Sequence, residues 1–398
     1  MNHWLCDSEM QTYFDNAATS FPKPDAVLEA TIEYLQECGA SPGRGAYAQA
    51  VDAAAVLEVC RSVLCELVNA PASHLVFTLN CTDALNLAIN GIASHHRHRG
   101  EPIHIVTTAM DHNSVLRVLH ALSIEGVTHT IVKADSTTGL VDPVDIEVAI
   151  KSTTRLVAIA HGSNVTGTVQ DIATIGAICN EVPFLVDAAQ TMGHRSIDVV
   201  SMGVDLLAFP GHKGLLGPLG TGGLIMQPEM VQIVEAVRFG GTGSASELPE
   251  QPTFFPDKYE SGSHNMVGIK GLLAAAQWIL STGVDNLYQH EMALCEQFIR
   301  EVQQVPKVRI SGPQTTQDRC GVFSLVFEEP PEAIADRMEE VAGICCRCGL
   351  HCAPFAHQTM GTDNMGGTVR VSFGPFHTSE DITYLVDAIA QCTQPALV

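Results

Sequence analysis

The feature that most constrains this fold is an alternation of short apolar runs and helix-patterned segments between residues 74 and 226. The runs have the length of buried strands, and apolar residues recur at helical spacing between them. We expect strands near His74–Leu79, Ile103–Thr107, Thr128–Val132, Leu156–Ala160, Phe184–Val186, Leu206–Phe209 and Gly222–Met226. Because interleaved helices lead to parallel strands, the pattern predicts an α/β fold with a seven-stranded, mostly parallel sheet flanked by helices.

The C-terminal third has a different pattern. A segment rich in Gly, Ser and Pro, Phe239–Glu260, predicts a long loop, and Met266–Leu280 predicts a helix. Beyond it we expect a smaller α+β unit, with strands near Val308–Ile310, Val322–Phe327 and Val369–Phe373 and helices near Pro331–Ala342 and Ser379–Gln391. We therefore predict an N-terminal arm over 1–20 that packs with the small domain, a large domain over 21–265 and a small C-terminal domain over 266–398.

Charge and hydropathy argue against a nucleic-acid-binding protein and against a membrane-spanning protein. The 398 residues include 44 acidic residues against 21 Lys and Arg, a formal charge of −23, which opposes binding to nucleic acid or anionic membranes. No apolar run reaches the ~18 residues that span a bilayer, and the N-terminus lacks a signal-peptide pattern. We expect a cytoplasmic protein whose 13 irregularly spaced cysteines are reduced thiols.

Two neighbouring strand ends carry candidate catalytic residues. Asp187 closes the run Phe184–Val186, and Lys213 lies in a glycine-bounded turn after Leu206–Phe209. Open α/β sheets bind ligands at such strand ends. Burial lowers the pKa of a lysine, so its amine can form a Schiff base, and an aspartate can keep a pyridine nitrogen protonated. Together they suit pyridoxal 5′-phosphate, although each alone also fits a plainer role as a turn cap or a solvated charge.

Four segments resemble the class V aminotransferase family of fold-type I pyridoxal-phosphate enzymes, and their order along the chain is also that of the family. Asp187–Gln190 and Gly211–Gly214 resemble the cofactor-binding segments of that family. The early Asp15–Thr19 and the late Gly349–Pro354 resemble its cysteine desulfurase and selenocysteine lyase branch. The resemblance spans residues 13 to 390 and implies the fold of a pyridoxal-phosphate-dependent transferase.

The resemblance implies roles for residues at three other strand ends and for Gln190, which follows Asp187. Cys81 and Thr82, at a helix start, would cradle the cofactor phosphate, with an ordinary N-cap as the alternative. His112 would stack on the pyridine ring and move protons, unless it is only a turn residue. Asn164 and Gln190 would donate hydrogen bonds to the cofactor or the substrate.

The remaining cofactor contacts implied by the resemblance include one from a second subunit. His212 would join the phosphate cup beside the lysine, whereas Pro210 stands where relatives often carry a hydroxyl. Ser263 resembles a hydroxyl residue that crosses a dimer interface to the partner's phosphate. This implies a homodimer with composite active sites, and a polar loop before a helix is the alternative.

Two arginines are candidates for the substrate. Arg370 lies in an apolar strand, and a buried arginine needs an anion. Its planar fork suits the α-carboxylate of an amino acid, and the family places its carboxylate-binding arginine here. An internal salt bridge is the alternative. Arg44, in a glycine-rich loop, is a second candidate at the mouth of the site.

Cys352 is the candidate sulfur acceptor. The run Cys345–Cys352 lacks the paired spacing of structural zinc sites, so we expect no metal. The resemblance implies that Cys352 is a nucleophile on a mobile loop, and Arg347 and His351 could lower the pKa of its thiol. An unreactive cysteine-rich strand and turn is the alternative.

The function implied by the resemblance is that of a cysteine desulfurase. L-Cysteine would become L-alanine, with Lys213 removing the α-proton and the sulfur left as a persulfide on Cys352. A sulfur-acceptor protein could then take it, for iron–sulfur assembly or thiolation. Selenocysteine lyase activity on L-selenocysteine needs the same residues, whereas a cystine C–S lyase, an epimerase or a transaminase would not need Cys352. A non-enzymatic protein is disfavoured because Asp187 and Lys213 are both present.

Overall fold

The computed structural model describes residues 12–43, 45–71 and 74–393, which form two sheets with helices packed against them. The helices are α1 (Asp25–Glu33), α2 (Ala48–Glu66), α3 (Cys81–His98), α4 (Asn113–Ile124), α5 (Pro143–Ala149), α6 (Ile172–Cys179), α7 (Met266–Thr282), α8 (Val284–Val302), α9 (Pro331–Ala342), α10 (Pro354–Met360) and α11 (Ser379–Cys392). The strands are β1 (Leu75–Thr78), β2 (His104–Thr108), β3 (Thr128–Val132), β4 (Thr154–Ala160), β5 (Phe184–Asp187), β6 (Leu206–Pro210), β7 (Gly222–Met226), β8 (Arg309–Ser311), β9 (Val322–Val326), β10 (Arg347–Gly349) and β11 (Thr368–Ser372). Short π- or 3-10-helical segments lie at Tyr34–Cys38, Pro228–Gln232 and Asp363–Met365.

The larger sheet has seven strands in the order β1-β7-β6-β5-β4-β2-β3. Neighbours from β6 to β3 pair in parallel, whereas β7 pairs antiparallel with β6 and β1. Every residue of β2, β5 and β6 is buried, as expected for strands covered by helices on both faces. The predicted α/β class and the seven-stranded, mostly parallel sheet are therefore confirmed.

The strand register brings several chain turns to one edge of this sheet. Ala160, the last residue of β4, pairs with Asp187, the last residue of β5, and Asp187 pairs in turn with Ala208 of β6. The segments after these strands consequently leave the sheet side by side, together with the turns after β1 and β2. This is the edge at which open α/β sheets bind ligands.

The smaller sheet has four antiparallel strands in the order β10-β11-β9-β8. Its core contains Phe298 of α8, Phe323 of β9 and Leu385 of α11, all fully buried. The sequence pattern predicted β8, β9, β11, α9 and α11 within about two residues of their bounds, and it missed β10, α8 and α10.

The described part of the N-terminal arm joins this smaller layer. Tyr13 and Asp15 form parallel bridges with Cys345 and Ser372, and Phe14 is fully buried between them. Residues 1–11 lie outside the described residues. The division into 1–20, 21–265 and 266–398 stays a prediction; α7 packs against α1 and α2 of the larger layer and α8 against α11, which favours a boundary near Gly283.

The described residues contain no single helix that could span a membrane and no cluster of metal ligands. No single helix within residues 12–43, 45–71 and 74–393 is long and apolar enough to cross a membrane, and one pair, α7 and α8, meets the length and composition test only together, bent by 80°. In the same ranges, no group of three or more His, Cys, Asp or Glu side chains is placed to hold a metal ion.

Candidate active site

A cavity at the ligand-binding edge of the larger sheet collects most of the predicted site residues. It is lined by Asn80, Cys81, Thr82, His112, Ser114, Ala160, Gly162, Asn164, Asp187, Ala189, Gln190, Pro210, His212 and Lys213. These positions follow the ends of five different strands, so the site exists only when the sheet is assembled. The structure thus brings together all the predicted cofactor residues except Ser263.

Asp187 is a buried carboxylate with one oxygen already engaged. The Cys81 thiol donates to its Oδ1 at 3.2 Å, and the Ala189 amide donates to the same atom at 2.9 Å. These bonds fix the orientation of the carboxylate and leave the acceptor capacity of Oδ2 for a ligand. Burial, together with the negative Asp187, raises the pKa of Cys81 well above its usual value, so Cys81 remains a thiol donor.

Lys213 faces this carboxylate from the turn between β6 and β7. Burial lowers the pKa of its amine, while Asp187 partly opposes that shift. Within the described residues, its Nζ makes no hydrogen bond and no ion pair. A neutral amine with a free lone pair is what Schiff-base chemistry requires of a lysine.

The start of α3 forms one side of the cavity. Asn80 caps this 18-residue helix by accepting from the Asp83 amide at 3.0 Å, and Cys81 and Thr82 follow it. A helix N-terminus presents free amides and the positive end of the helix dipole, which suits a phosphate. Opposite it, burial lowers the pKa of His212 to about 4, and its buried Nδ1 has no partner among the described residues.

The carbonyl of His212 is held by residues that the sequence pattern did not single out for this purpose. The Ser20 amide donates to it at 2.9 Å, the Thr19 hydroxyl at 3.2 Å and the Lys23 amine at 3.1 Å. Thr19 lies in the segment that carries the family resemblance, but nothing in it indicates a contact 193 residues away. The N-terminal arm thus anchors the turn that carries Lys213.

His112 is fixed at the start of α4. Its Nδ1 accepts from the Ser114 amide at 3.0 Å and lies 2.6 Å from the Ser114 hydroxyl. That hydroxyl is in turn 2.9 Å from the Thr82 hydroxyl. Burial lowers the pKa of His112, so the ring is neutral at neutral pH. Sequence reasoning missed Ser114, although a hydroxyl two residues after a capping histidine is a readable signal.

The two predicted amide side chains also hold the surrounding backbone. Gln190 Nε2 donates to the Ala17 carbonyl at 3.0 Å, and Asn164 Nδ2 donates to the His351 carbonyl at 2.6 Å. Each amide retains a second N–H for a ligand. Gln190 therefore connects the N-terminal arm to the cavity, and Asn164 connects the loop that carries Cys352 to the same cavity.

Arg370 is buried and has an internal partner. Its Nη2 lies 2.7 Å from Asp15 Oδ1, and its Nη1 donates to the Asn164 carbonyl at 3.2 Å. Arg347 also approaches Asp15, at 3.3 Å. The internal salt bridge considered for Arg370 is thus present, while its buried Nε has no partner among the described residues. Arg44, the other predicted substrate residue, lies outside the described residues.

Cys352 is exposed beside the cavity, on a strained turn. His351 and Cys352 have positive φ angles of 46° and 57°. The Cys352 carbonyl accepts from the Asn113 amide at 2.8 Å. The side chain borders a groove lined by Thr82, Asn86, Asn90, His112, Asn113, Ser114, Arg117, Val118 and Ala121.

The suggested help from His351 to this thiol is wrong. His351 is buried, and its Nε2 lies 3.1 Å from the Thr368 hydroxyl. Burial lowers the pKa of His351 to about 2, so the ring carries no charge at neutral pH and cannot stabilise a thiolate. The suggestion failed because sequence proximity does not reveal that a side chain points into the protein.

Ser263 lies apart from Lys213 in the same chain. It borders a second cavity with Thr78, Arg238 and His264. The turn that carries it is anchored by Glu260, whose oxygens lie 2.9 Å from Arg61 Nη1 and 2.8 Å from His264 Nε2. Its contact with a cofactor in another subunit stays a prediction.

Comparison with known proteins gives the class of this site. The profile of the class V aminotransferase family matches residues 12–385, and the chain belongs to that family. A "Probable cysteine desulfurase" from Methanothermobacter thermautotrophicus is 36% identical, covering 95% of this chain and 94% of that protein. A "Cysteine desulfurase" from Cronobacter sakazakii is 30% identical, covering 94% and 91%. An apo cysteine desulfurase structure from Thermococcus onnurineus, 30% identical, has a TM-score of 0.87 and covers 96% of this chain and 94% of that chain.

These comparisons confirm the predicted family, its desulfurase branch and its fold-type I architecture. Members of the family use pyridoxal 5′-phosphate, which confirms the predicted cofactor. The residues present fit this group. Asp187 Oδ2 suits a pyridinium N–H, the Lys213 amine suits the aldehyde, and the amides at the start of α3 with the unpartnered His212 Nδ1 suit the phosphate.

Proposed function

We propose that the protein is a pyridoxal-phosphate-dependent cysteine desulfurase that converts L-cysteine to L-alanine and retains the sulfur as a persulfide on Cys352. The observation that carries this proposal is the placement of that thiol. The groove beside Cys352 and the cavity around Lys213 share three wall residues, Thr82, His112 and Ser114. A nucleophilic sulfur therefore borders the site that would hold the substrate.

The cofactor, when bound, supplies the electron sink that makes the α-proton of an amino acid acidic. Lys213 Nζ, whose pKa is lowered by burial, takes that proton. Asp187 Oδ2 is available to the cofactor because the Cys81 thiol and the Ala189 amide both donate to Oδ1. His112, fixed by Ser114 through Nδ1, leaves its other ring nitrogen, Nε2, for a hydrogen bond in the cavity.

The sulfur transfer balances without an external oxidant. The Cys352 thiolate forms an S–S bond with the substrate sulfur, and the substrate C–S bond breaks. The electron pair of that bond stays on the substrate's β-carbon, which is protonated to give alanine. The thiol proton of Cys352 and the substrate's own protons account for all hydrogens in alanine and the protein persulfide.

Arg370 is our candidate for the substrate carboxylate. A buried guanidinium with an unpartnered Nε has donor capacity beyond its bond to Asp15. Asp15 also contacts Arg347, so a substrate carboxylate can take its place at Arg370 while Asp15 keeps a cationic partner. We assign Arg44 to the mouth of the site on the sequence argument alone.

We further propose a homodimer in which Ser263 completes the phosphate site of the partner subunit. Its position in a cavity apart from Lys213 of the same chain supports a contact in trans rather than in cis. The rigid Arg61–Glu260–His264 cluster supports a preformed turn. A sulfur-acceptor protein would take the persulfide from the exposed face of Cys352.

The test is alanine production from L-cysteine, with mass spectrometry of the protein for one added sulfur. Cys352→Ser should bind the cofactor, form no persulfide and make alanine at least tenfold more slowly, because the sulfur acceptor is missing. Cys345→Ser, which changes another exposed cysteine of the same run, is the matched control and should keep wild-type turnover.

A Cys352→Ser variant that makes alanine at the wild-type rate would exclude the desulfurase mechanism. The cystine lyase, epimerase or transaminase alternatives would then replace it. Parallel assays with L-selenocysteine compare the two chalcogen substrates directly. A wild-type protein that binds no added pyridoxal phosphate would contradict every part of the proposed function.

A further inference from the structure

A chain of three polar side chains separates the cofactor cavity from the groove beside Cys352. Thr82, Ser114 and His112 line both spaces. Their polar atoms are continuous, with 2.9 Å between the two hydroxyl oxygens and 2.6 Å between Ser114 Oγ and His112 Nδ1. This series of hydrogen bonds joins the proposed phosphate cradle at Thr82 to the ring of His112.

The backbone determines the direction of these hydrogen bonds. The Ser114 amide can only donate, and it points at His112 Nδ1 from 3.0 Å. Nδ1 must therefore lack a proton, and the neutral ring carries its proton on Nε2. The Ser114 hydroxyl, 2.6 Å from the same atom, must then donate to it as well. Its lone pairs are left to accept from the Thr82 hydroxyl.

The same contacts oppose protonation of the ring. A proton on Nδ1 would face the Ser114 N–H, so the charged form loses the amide hydrogen bond, and the Ser114 hydroxyl would have to reverse its bond to the ring. The charged side chains that act on the ring are Asp187, which favours the imidazolium, and Lys213, Arg117 and Arg370, which disfavour it. Burial of the ring, which is the largest cause of its lowered pKa, also disfavours the imidazolium.

We propose that Ser114 is a positioning residue that fixes His112 as its Nε2–H tautomer, so that the neutral ring offers Nε2–H as a hydrogen-bond donor and offers no basic nitrogen to a ligand in the cavity. The inference rests on the proposed desulfurase site. Ser114 itself touches neither substrate nor cofactor in this scheme, because its hydroxyl is directed to the imidazole. The Thr82 hydroxyl can turn to a bound phosphate without breaking the Ser114–His112 bond.

The experiment is NMR of the holoenzyme with labelled histidine, in which long-range proton–nitrogen correlations report the tautomer and the titration midpoint. The His112→Gln spectrum identifies the signal. In the wild type we expect the proton on Nε2. In Ser114→Ala, the loss of one hydrogen bond to the neutral form should raise the midpoint by about half to one pH unit. Ser114→Thr keeps the hydroxyl and should restore the wild-type midpoint.

Two further variants complete the test. Ser123→Ala makes the same change on the same helix, where the hydroxyl donates to the His120 carbonyl at 2.6 Å, and it should leave the midpoint unchanged. Ser114→Cys offers a weaker donor of similar size and should give a smaller rise, which also serves if the alanine variant does not fold.

An Nδ1–H tautomer in the wild type would overturn the inference. So would an unchanged midpoint in both Ser114→Ala and Ser114→Cys, or an equal rise in Ser123→Ala. The NMR measurement needs no substrate. A protein that makes no alanine from cysteine would contradict the proposed function, whereas the inference about Ser114 is tested by the NMR result alone.

Discussion

At the residue scale, the side chains of the site form hydrogen bonds and ion pairs with one another that do not depend on a ligand. Asp187 is held through one oxygen, His112 through one ring nitrogen, and Arg370 through two of its three guanidinium nitrogens. Each keeps a further atom for chemistry. Such partial engagement lowers the conformational entropy that a ligand must remove on binding, which is how a site is preorganised.

The thiol of Cys81 offers a test of this preorganisation. Cys81→Ala removes one of two donors to Asp187 Oδ1, so the carboxylate is less well fixed toward the cofactor ring. We expect the cofactor dissociation constant to rise about fivefold, from a hydrogen bond worth about 1 kcal/mol. Because the pKa of Cys81 is raised well above its usual value, the thiol stays protonated and the effect should be constant from neutral to mildly alkaline pH.

Absorbance titration of the stripped protein with pyridoxal phosphate measures this constant. Cys81→Ser retains a donor and should bind like the wild type. Cys60→Ala, at a buried cysteine on α2, is the control for loss of a core thiol and should leave the constant unchanged. Equal weakening in Cys60→Ala and Cys81→Ala would show that the thiol acts only through packing.

At the scale of elements, the turn between β6 and β7 is as important as the strands. A side chain on Gly211 would place its Cβ 2.1 Å from Thr221 Oγ1, which is itself bonded to the Pro218 carbonyl at 2.6 Å. The Gly211 amide donates to the Thr221 carbonyl at 2.8 Å. Glycine is needed here because the side chains of Thr221 and Leu272 leave no room for a Cβ.

Gly211→Ala should therefore displace the turn that carries Lys213. We expect unfolding free energy to fall by about 1–3 kcal/mol, the usual cost of overpacking, and cofactor uptake to weaken with it. Chemical denaturation and cofactor titration measure the two effects. Gly241→Ala is the control, because its Cβ would meet nothing within 4 Å, and both quantities should stay near wild type. A Gly211→Ala protein as stable as that control would contradict the packing argument.

Element prediction succeeded where the apolar period was local and clear. All seven strands of the large sheet were placed within about two residues, because a buried strand between helices has a distinctive length and composition. The missed helix α8 begins immediately after Gly283, which ends α7. Its apolar residues Leu287, Leu294, Phe298 and Val302 recur at helical spacing, so the signal was present in the sequence.

At the scale of the whole molecule, the N-terminal arm links both layers to the site. Residues Tyr13 to Asp15 bridge the small sheet, Ala17 binds Gln190, and Ser20 holds the His212 carbonyl. One short segment therefore contacts both layers and the turn that carries Lys213. Its contacts span more than 170 residues of sequence, which no local pattern reveals.

The proposed composite site gives a prediction at this scale. Lys213→Ala and Ser263→Ala homodimers should each have lost most activity, the first through its catalytic amine and the second through its phosphate contact. Mixed dimers should recover activity, because one of their two sites would have both residues intact. Subunit exchange followed by alanine assay measures this recovery. Mixtures that stay as inactive as their parents, or a fully active monomer in sedimentation, would contradict the shared site.

The sequence by itself determined the α/β class, the strand ends at which Asp187 and Lys213 lie, and the order of motifs that resembles the family. These depend on local periodicity and on residue types with few other uses. Tertiary structure alone decided how these residues are engaged: Asp15 on Arg370, 355 residues away, Cys81 on Asp187, and His351 turned inward and uncharged. Hydrogen-bond partners and desolvation depend on distances between segments, and the sequence carries no local record of those distances.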